Sequence, residues 1–137
     1  MAGPVRPNFL VFLTDQQRWD ALGCSGNEKI RTPNLDRLAA EGTYFRLAHT
    51  TNPICIPARA SLISGCWGLQ TGILRNQSLP TGCLEPRFVT LPQILSRAGY
   101  FCQAIGKMHF VPPRNHYGFG RMWLMEEVPR WRHDDEY

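Results

Sequence analysis

The sequence lacks any apolar run long enough to cross a bilayer. Near its start the longest is Phe9 to Leu13, too short for a membrane helix or for the core of a usual signal peptide. The expectation is therefore a protein without membrane association, either cytoplasmic or with its targeting signal outside these residues. There is no block or helical stripe of Lys and Arg, so nucleic acid is not an expected partner. There is no Cys-x-x-Cys pair, and the five cysteines (Cys24, Cys55, Cys66, Cys83, Cys102) are odd in number. Both points argue against a disulfide framework and a zinc site. Repeats and linkers are absent as well, which leaves one domain as the expectation.

What is present is an ordinary globular balance. The 137 residues are 43% hydrophobic and 19% charged, enough for one domain with a core. A formal net charge of +4 suits an anionic ligand without identifying one.

Strand-like and helix-like segments alternate. Asn8 to Thr14 (NFLVFLT) reads as a strand buried on both faces of a parallel sheet, with Asp15 and Gln16 at its C-terminal end. Thr32 is placed to cap a helix that starts at Pro33. Leu35, Leu38, Ala39 and Gly42 share one face of it, and Gly42 ends it. Thr43 to Thr50 reads as a second strand. A short helix is expected from Pro57 to Ser64, closed by Gly65, and residues 66–89 as loop. Thr90 caps a further helix with Leu91, Ile94, Leu95 and Ala98 on its buried face. Gly99 stops it, and Tyr100 to Ile105 reads as a strand. The class is α/β, with a mainly parallel sheet flanked by helices.

In such folds ligands sit beyond the C-terminal ends of the strands. Asp15-Gln16, Cys55 with Arg59, and Lys107 with His109 all occupy positions that could meet there. Cys55 lies just before a helix start, where free N–H groups and the helix dipole favour an anion. Arg59 adds a cationic fork one turn on. Each has a plainer reading taken alone: a buried thiol for Cys55, a capped turn for Asp15-Gln16, a surface pair for Lys107 and His109. His49 and His116 read as unremarkable. Trp67, Trp123 and Trp131 are core or subsite aromatics. His133-Asp134-Asp135-Glu136 reads as a solvated chain end.

The extended string changes this. Cys55-Ile56-Pro57-Ala58-Arg59, continued as Ala60-Ser61-Leu62-Ile63-Ser64-Gly65, resembles the Cys-x-Pro-x-Arg signature of the sulfatase family. Other landmarks agree in order. Arg6-Pro7-Asn8 followed by an apolar run and Thr14-Asp15-Gln16 resembles the family's N-terminal metal-binding segment. Thr32-Pro33-Asn34-Leu35-Asp36-Arg37-Leu38-Ala39 is similar to its next helix. Gly106-Lys107-Met108-His109 resembles its Gly-Lys-x-His motif. The similarity runs from about residue 6 to about residue 110, with Tyr117-Gly118-Phe119 compatible beyond it.

The resemblance implies an alkaline-phosphatase-like fold and hydrolysis of a small sulfated substrate. It implies that a maturation enzyme oxidises Cys55 to formylglycine. One hydroxyl of the hydrated aldehyde then attacks sulfur and the alcohol leaves, and deprotonation of the other hydroxyl expels sulfate and restores the aldehyde, a covalent route with a built-in release step. Asp15, Gln16 and Cys55 would face a divalent metal bound through oxygen. Calcium is the first choice. Manganese is the alternative, because Gln16 stands where many family members have a second Asp, and related phosphonate and phosphodiester hydrolases use an Asp-Gln pair. Arg59 would hold the diol, Lys107 the sulfate, and His109 would serve as general base.

Members of that family are several times longer. Residues 1–137 are thus expected to be the N-terminal part of one catalytic domain, with its sheet cut off and further ligands elsewhere. Two departures from the family pattern stand out. Ile56 is bulkier than the usual Thr or Ser, and Trp67-Gly68-Leu69-Gln70 replaces a common Tyr-Pro-His-Arg. Three functions remain open: a sulfatase, a phosphonate monoester or phosphodiester hydrolase on the same scaffold, and a non-catalytic chain that binds an anion or a partner. Oligomeric state is not legible.

Overall fold

The computed structural model describes residues 6–76 and 82–125. They fall in two compact units, Met1–Ala48 and His49–Tyr137. Trp131 and the His133–Glu136 stretch lie outside the described residues.

The first unit is built around one helix, α1 (Pro33–Glu41). Proline at its first position suits an N-terminus whose N–H groups lack intrahelical partners. Thr32 does not cap it as expected. Its hydroxyl instead donates to Asp36 Oδ1 at 2.9 Å and accepts from the Gly23 N–H at 2.8 Å. Asp36 Oδ1 also accepts from the Cys24 N–H at 2.7 Å. The side chains of α1's first turn therefore pin a short 3-10 turn at Gly23–Ser25. A Cβ at Gly23 would lie 2.5 Å from Asp36 Oδ2, so this approach requires glycine.

Two expected strands also fail to form. Asn8 to Thr14 forms no strand and is not buried: Phe12 is 85% exposed. Thr43 to Thr50 forms none either. A strand exists only through its ladder, and the sheet among the described residues is made by two later segments. Leu35 and Leu38, which share one face of α1, are exposed.

The second unit carries α2 (Cys55–Ser64), α3 (Gly68–Thr71), α4 (Leu91–Arg97), β1 (Gln103–Gly106) and β2 (Arg121–Leu124). Ile56, Ala60 and Ile63 repeat along one face of α2. They pack with Ile73, Leu84 and Val111 into the core, which Cys83, Phe88 and Tyr117 flank. Ile56 is 6% exposed, so the bulk that departs from the family pattern is a core anchor, worth about 1.5–3 kcal/mol of burial. Gly65, in the left-handed region at φ 66, closes α2 as expected.

Thr90 caps α4 as expected: its hydroxyl accepts from the Gln93 N–H, and Gln93 Oε1 accepts from the Thr90 N–H at 2.9 Å. The buried residue of α4 is Pro92, not the expected Leu91 and Ile94, which are exposed. The loop expected over 66–89 contains α3. The strand expected at Tyr100 to Ile105 is β1, shifted to Gln103–Gly106. It pairs in parallel with β2, in register Gln103↔Arg121 to Gly106↔Leu124. The parallel sheet is thus present as two strands. Parallel neighbours require a crossover connection. Here the crossover begins with Lys107, at the C-terminal end of β1.

Candidate active site

Cys55 is the first residue of α2, two residues earlier than expected, and follows Ile54 in extended conformation (φ −107, ψ 144). It is half-buried. Lys107 Nζ lies 3.9 Å from Cys55 Sγ, bridging 52 residues of sequence. Arg59, one turn along α2, is 8% exposed. Its Nη1 donates to the Lys107 carbonyl at 2.6 Å. The guanidinium thus holds the backbone of the residue whose ammonium reaches Cys55. His109 follows two residues later, half-buried, with φ 53. A non-glycine residue with positive φ is uncommon, and such conformations cluster at functional sites.

The N-terminus of α2 offers less to an anion than its sequence suggests. Pro57 has no N–H, and the Ala58 N–H bonds to the Ile54 carbonyl at 3.0 Å. The Ile56 N–H donates to Asn76 Oδ1 at 3.0 Å. Charge at this site comes chiefly from Lys107 and Arg59.

Asp15 and Gln16 belong to the first unit. Both are exposed, and Gln16 has φ 57, a second positive-φ residue among the candidates. A carboxylate and a carboxamide are hard oxygen donors suited to calcium, magnesium or manganese. Two such donors fit as part of a ligand set: calcium takes about six to eight oxygens. Among the described residues no group of three or more His, Cys, Asp and Glu comes together.

The crossover is anchored by Tyr117. Its hydroxyl donates to the Val111 carbonyl at 2.7 Å, accepts from the Leu84 N–H at 3.1 Å and lies 3.4 Å from Cys83 Sγ. Its carbonyl accepts from the hydroxyl of Thr90, which is fully buried. Its ring meets Phe110 edge-on with centroids 4.9 Å apart. Burial, then the Cys83 contact, pushes the phenol's pKa up, while the Leu84 N–H acts the other way. His116 closes the next turn, with Nδ1 2.9 Å from the Phe119 carbonyl. Trp67 and Trp123 are exposed and do not contribute to the core.

Reasoning from sequence gave no role to Asn52, Asn76 or Tyr117, the last noted only within the compatible Tyr117-Gly118-Phe119 string. The Asn52-Pro53 dipeptide carried a turn signal. Asn76-Gln77-Ser78 fits a glycosylation sequon, for which chance is the better reading.

The chain is similar to known proteins. The chain is 41% identical over 120 residues to an arylsulfatase of Clostridium perfringens, covering 88% of this chain and 24% of that protein. It is 35% identical over 115 residues to human N-acetylgalactosamine-6-sulfatase, covering 77% of this chain and 22% of that one. It thus spans about a quarter of the length of these relatives. Among solved structures, the phosphonate monoester hydrolase of Agrobacterium radiobacter superposes with a TM-score of 0.72 at 27% identity, over 85% of this chain and 25% of that one. That likeness gives the alkaline-phosphatase-like α/β fold. A family model described as Sulfatase matches residues 7–134, and the chain belongs to the sulfatase family.

Proposed function

We propose that the complete protein hydrolyses sulfate esters, with residues 1–137 forming the N-terminal part of its catalytic domain. The observation that carries this reading is the cluster at the start of α2, where Lys107 Nζ stands 3.9 Å from Cys55 Sγ and Arg59 grips the Lys107 backbone. Cys55 here stands in for the formylglycine that a maturation enzyme would make of it, whose hydrate oxygen is the nucleophile toward sulfur. Lys107 places a positive charge beside that atom, where a sulfate oxygen gains negative charge. Arg59 holds Lys107 in place. His109 accepts a proton at its ring when sulfate is released. Asp15 and Gln16 would lend a carboxylate and an amide oxygen to a divalent cation, calcium with manganese as the alternative. That cation's chemistry is to polarise the ester oxygens.

A second reading is hydrolysis of phosphonate monoesters or phosphodiesters. It is favoured by the likeness to the Agrobacterium enzyme and by the Asp15-Gln16 pair. Both readings take a tetrahedral anionic ester. The test is a side-by-side assay of the complete protein with 4-nitrophenyl sulfate, 4-nitrophenyl phenylphosphonate and a phosphodiester. The proposal expects the highest kcat/KM for the sulfate, and loss of that activity in Cys55→Ala. A phosphonate or phosphodiester preference would select the second reading. Full activity in Cys55→Ala would sink both.

A further inference from the structure

The residues on either side of Cys55 are each held by an asparagine side chain. Asn52 Oδ1 accepts from the Ile54 N–H at 2.9 Å. Asn52 Nδ2 donates to the Leu74 carbonyl at 3.1 Å. Asn76 Oδ1 accepts from the Ile56 N–H. The turn that presents Cys55 is thereby tied to residues 74–76 on both flanks. The base of the turn is fixed as well: the Thr50 hydroxyl donates to the Asn52 carbonyl at 2.8 Å.

Between these ties the chain passes from extended at Ile54 to helical at Cys55 within one residue. The direction of the Cys55 side chain depends on the torsions of Ile54. Pro53 has a restricted φ of its own and restricts Asn52 before it, but it places no such limit on Ile54. The Asn52 carboxamide closes a side-chain turn over Pro53 onto the Ile54 N–H, which fixes the Pro53–Ile54 peptide plane from which Ile54 continues. The amide offers the acceptor for Ile54 and the donor for Leu74 on two separate atoms.

We infer that Asn52 is a positioning residue: it fixes the backbone of Ile54 and so aims residue 55 at Lys107. The inference rests on the reading of Cys55 as the source of the nucleophile. A nucleophile displaced by about 1 Å can lose about 100-fold in rate without losing its substrate. The effect of removing Asn52 therefore belongs in kcat.

The test compares the complete protein with Asn52→Ala, Asn52→Asp and Cys55→Ala. It uses 4-nitrophenyl sulfate, with kcat expressed per converted Cys55 from the peptide mass and Tm taken alongside. Asn52→Ala is expected to lower kcat by about 10- to 100-fold with KM within about threefold. Asn52→Asp keeps the acceptor for Ile54 and loses only the Leu74 bond, so it should stay within about fivefold of the parent. Parental kcat in Asn52→Ala would overturn the inference, as would a change confined to KM. A kcat in Asn52→Asp more than about fivefold below the parent, at parental Tm, would overturn it too. If Asn52→Ala fails to fold, Asn52→Asp decides by the same criterion. Activity that survives in Cys55→Ala, where Asn52 is intact, would mark failure of the Cys55 reading itself.

Discussion

Arg59 Nη1 and the Lys107 carbonyl, 48 residues apart in sequence, are joined at 2.6 Å by a buried guanidinium. That bond ties α2, which carries Cys55, to the crossover that carries Lys107 and His109. A hydrogen bond from a charged donor contributes about 1.5–3 kcal/mol. Removing it should destabilise the second unit by that order and release Lys107 from Cys55. Arg59→Ala is expected to lower Tm and to cut kcat by about 100-fold or more. Arg59→Lys should rescue neither fully, because an ammonium lacks the planar fork. Steady-state kinetics with thermal melting checks this, and parental kcat in Arg59→Ala would contradict it.

Lys107→Met keeps the length and apolar stem of the side chain while removing its charge beside residue 55. The fold should persist, because the backbone bond from Arg59 remains. Loss of one charge-stabilising group at a reacting centre costs about 100- to 1,000-fold in kcat. Kinetics of the melting-competent variant tests it. A loss below about tenfold would remove Lys107 from the reacting centre.

Tyr117 gives a pH dependence. Its phenol titrates above its ordinary value of 10.0 in the fold, chiefly through burial. The fold favours the neutral phenol, so the stability this confers is complete below pH 10.0. It declines as pH rises through the unfolded and then the folded pKa. Tyr117→Phe should lose this alkaline limb. At neutral pH it should be less stable than the parent, by about 1–3 kcal/mol, because the Leu84 N–H loses its acceptor and the Val111 carbonyl its donor. Urea midpoints measured from neutral to strongly alkaline pH check both points. Parallel curves for the two proteins would contradict the account.

The local parts of this structure were legible in the sequence, and the long-range parts were not. Pro33, Gly42, Gly65 and Thr90 marked helix ends correctly because caps are settled within a few residues. The run Asn8 to Thr14 has the composition of a buried strand, yet burial and pairing depend on neighbours that no local pattern supplies. For the same reason Arg121–Leu124 was passed over and forms β2 once Gln103–Gly106 lies beside it. Cys55, Arg59, Lys107 and His109 were readable as motif residues. Asn76 and Tyr117 were not, because each acts through a partner 20 or more residues distant, and Asn52 showed only its local turn, not its bond to Leu74 22 residues away.

Two glycines of the second unit separate space from backbone conformation. Gly118 and Gly72 both have positive φ, 96 and 74. A Cβ at Gly118 would lie 2.6 Å from the Gln93 backbone nitrogen, whereas one at Gly72 meets nothing within 4 Å. Gly72→Ala should cost only the left-handed penalty, about 1–2 kcal/mol. Gly118→Ala should cost about 1–3 kcal/mol more from overpacking against α4. Denaturant unfolding of the two variants measures the difference, and equal losses would contradict the packing of Gly118 on α4.

Ile56 should behave as core and not as chemistry. Ile56→Ser restores a residue type frequent at this motif position but strips a side chain that is 6% exposed. A stability loss of about 2–4 kcal/mol is expected, with kcat per converted Cys55 within about threefold. A stable variant with collapsed kcat would assign Ile56 a role in the site.

The most direct test of the central claim is the mass of the Cys55 peptide in the complete protein purified from its native cell. The account predicts a peptide lighter by the change from CH2SH to CHO. It also predicts that aryl sulfate turnover across preparations scales with the converted fraction. An intact thiol at Cys55 in a preparation that turns over aryl sulfate at full rate would contradict it.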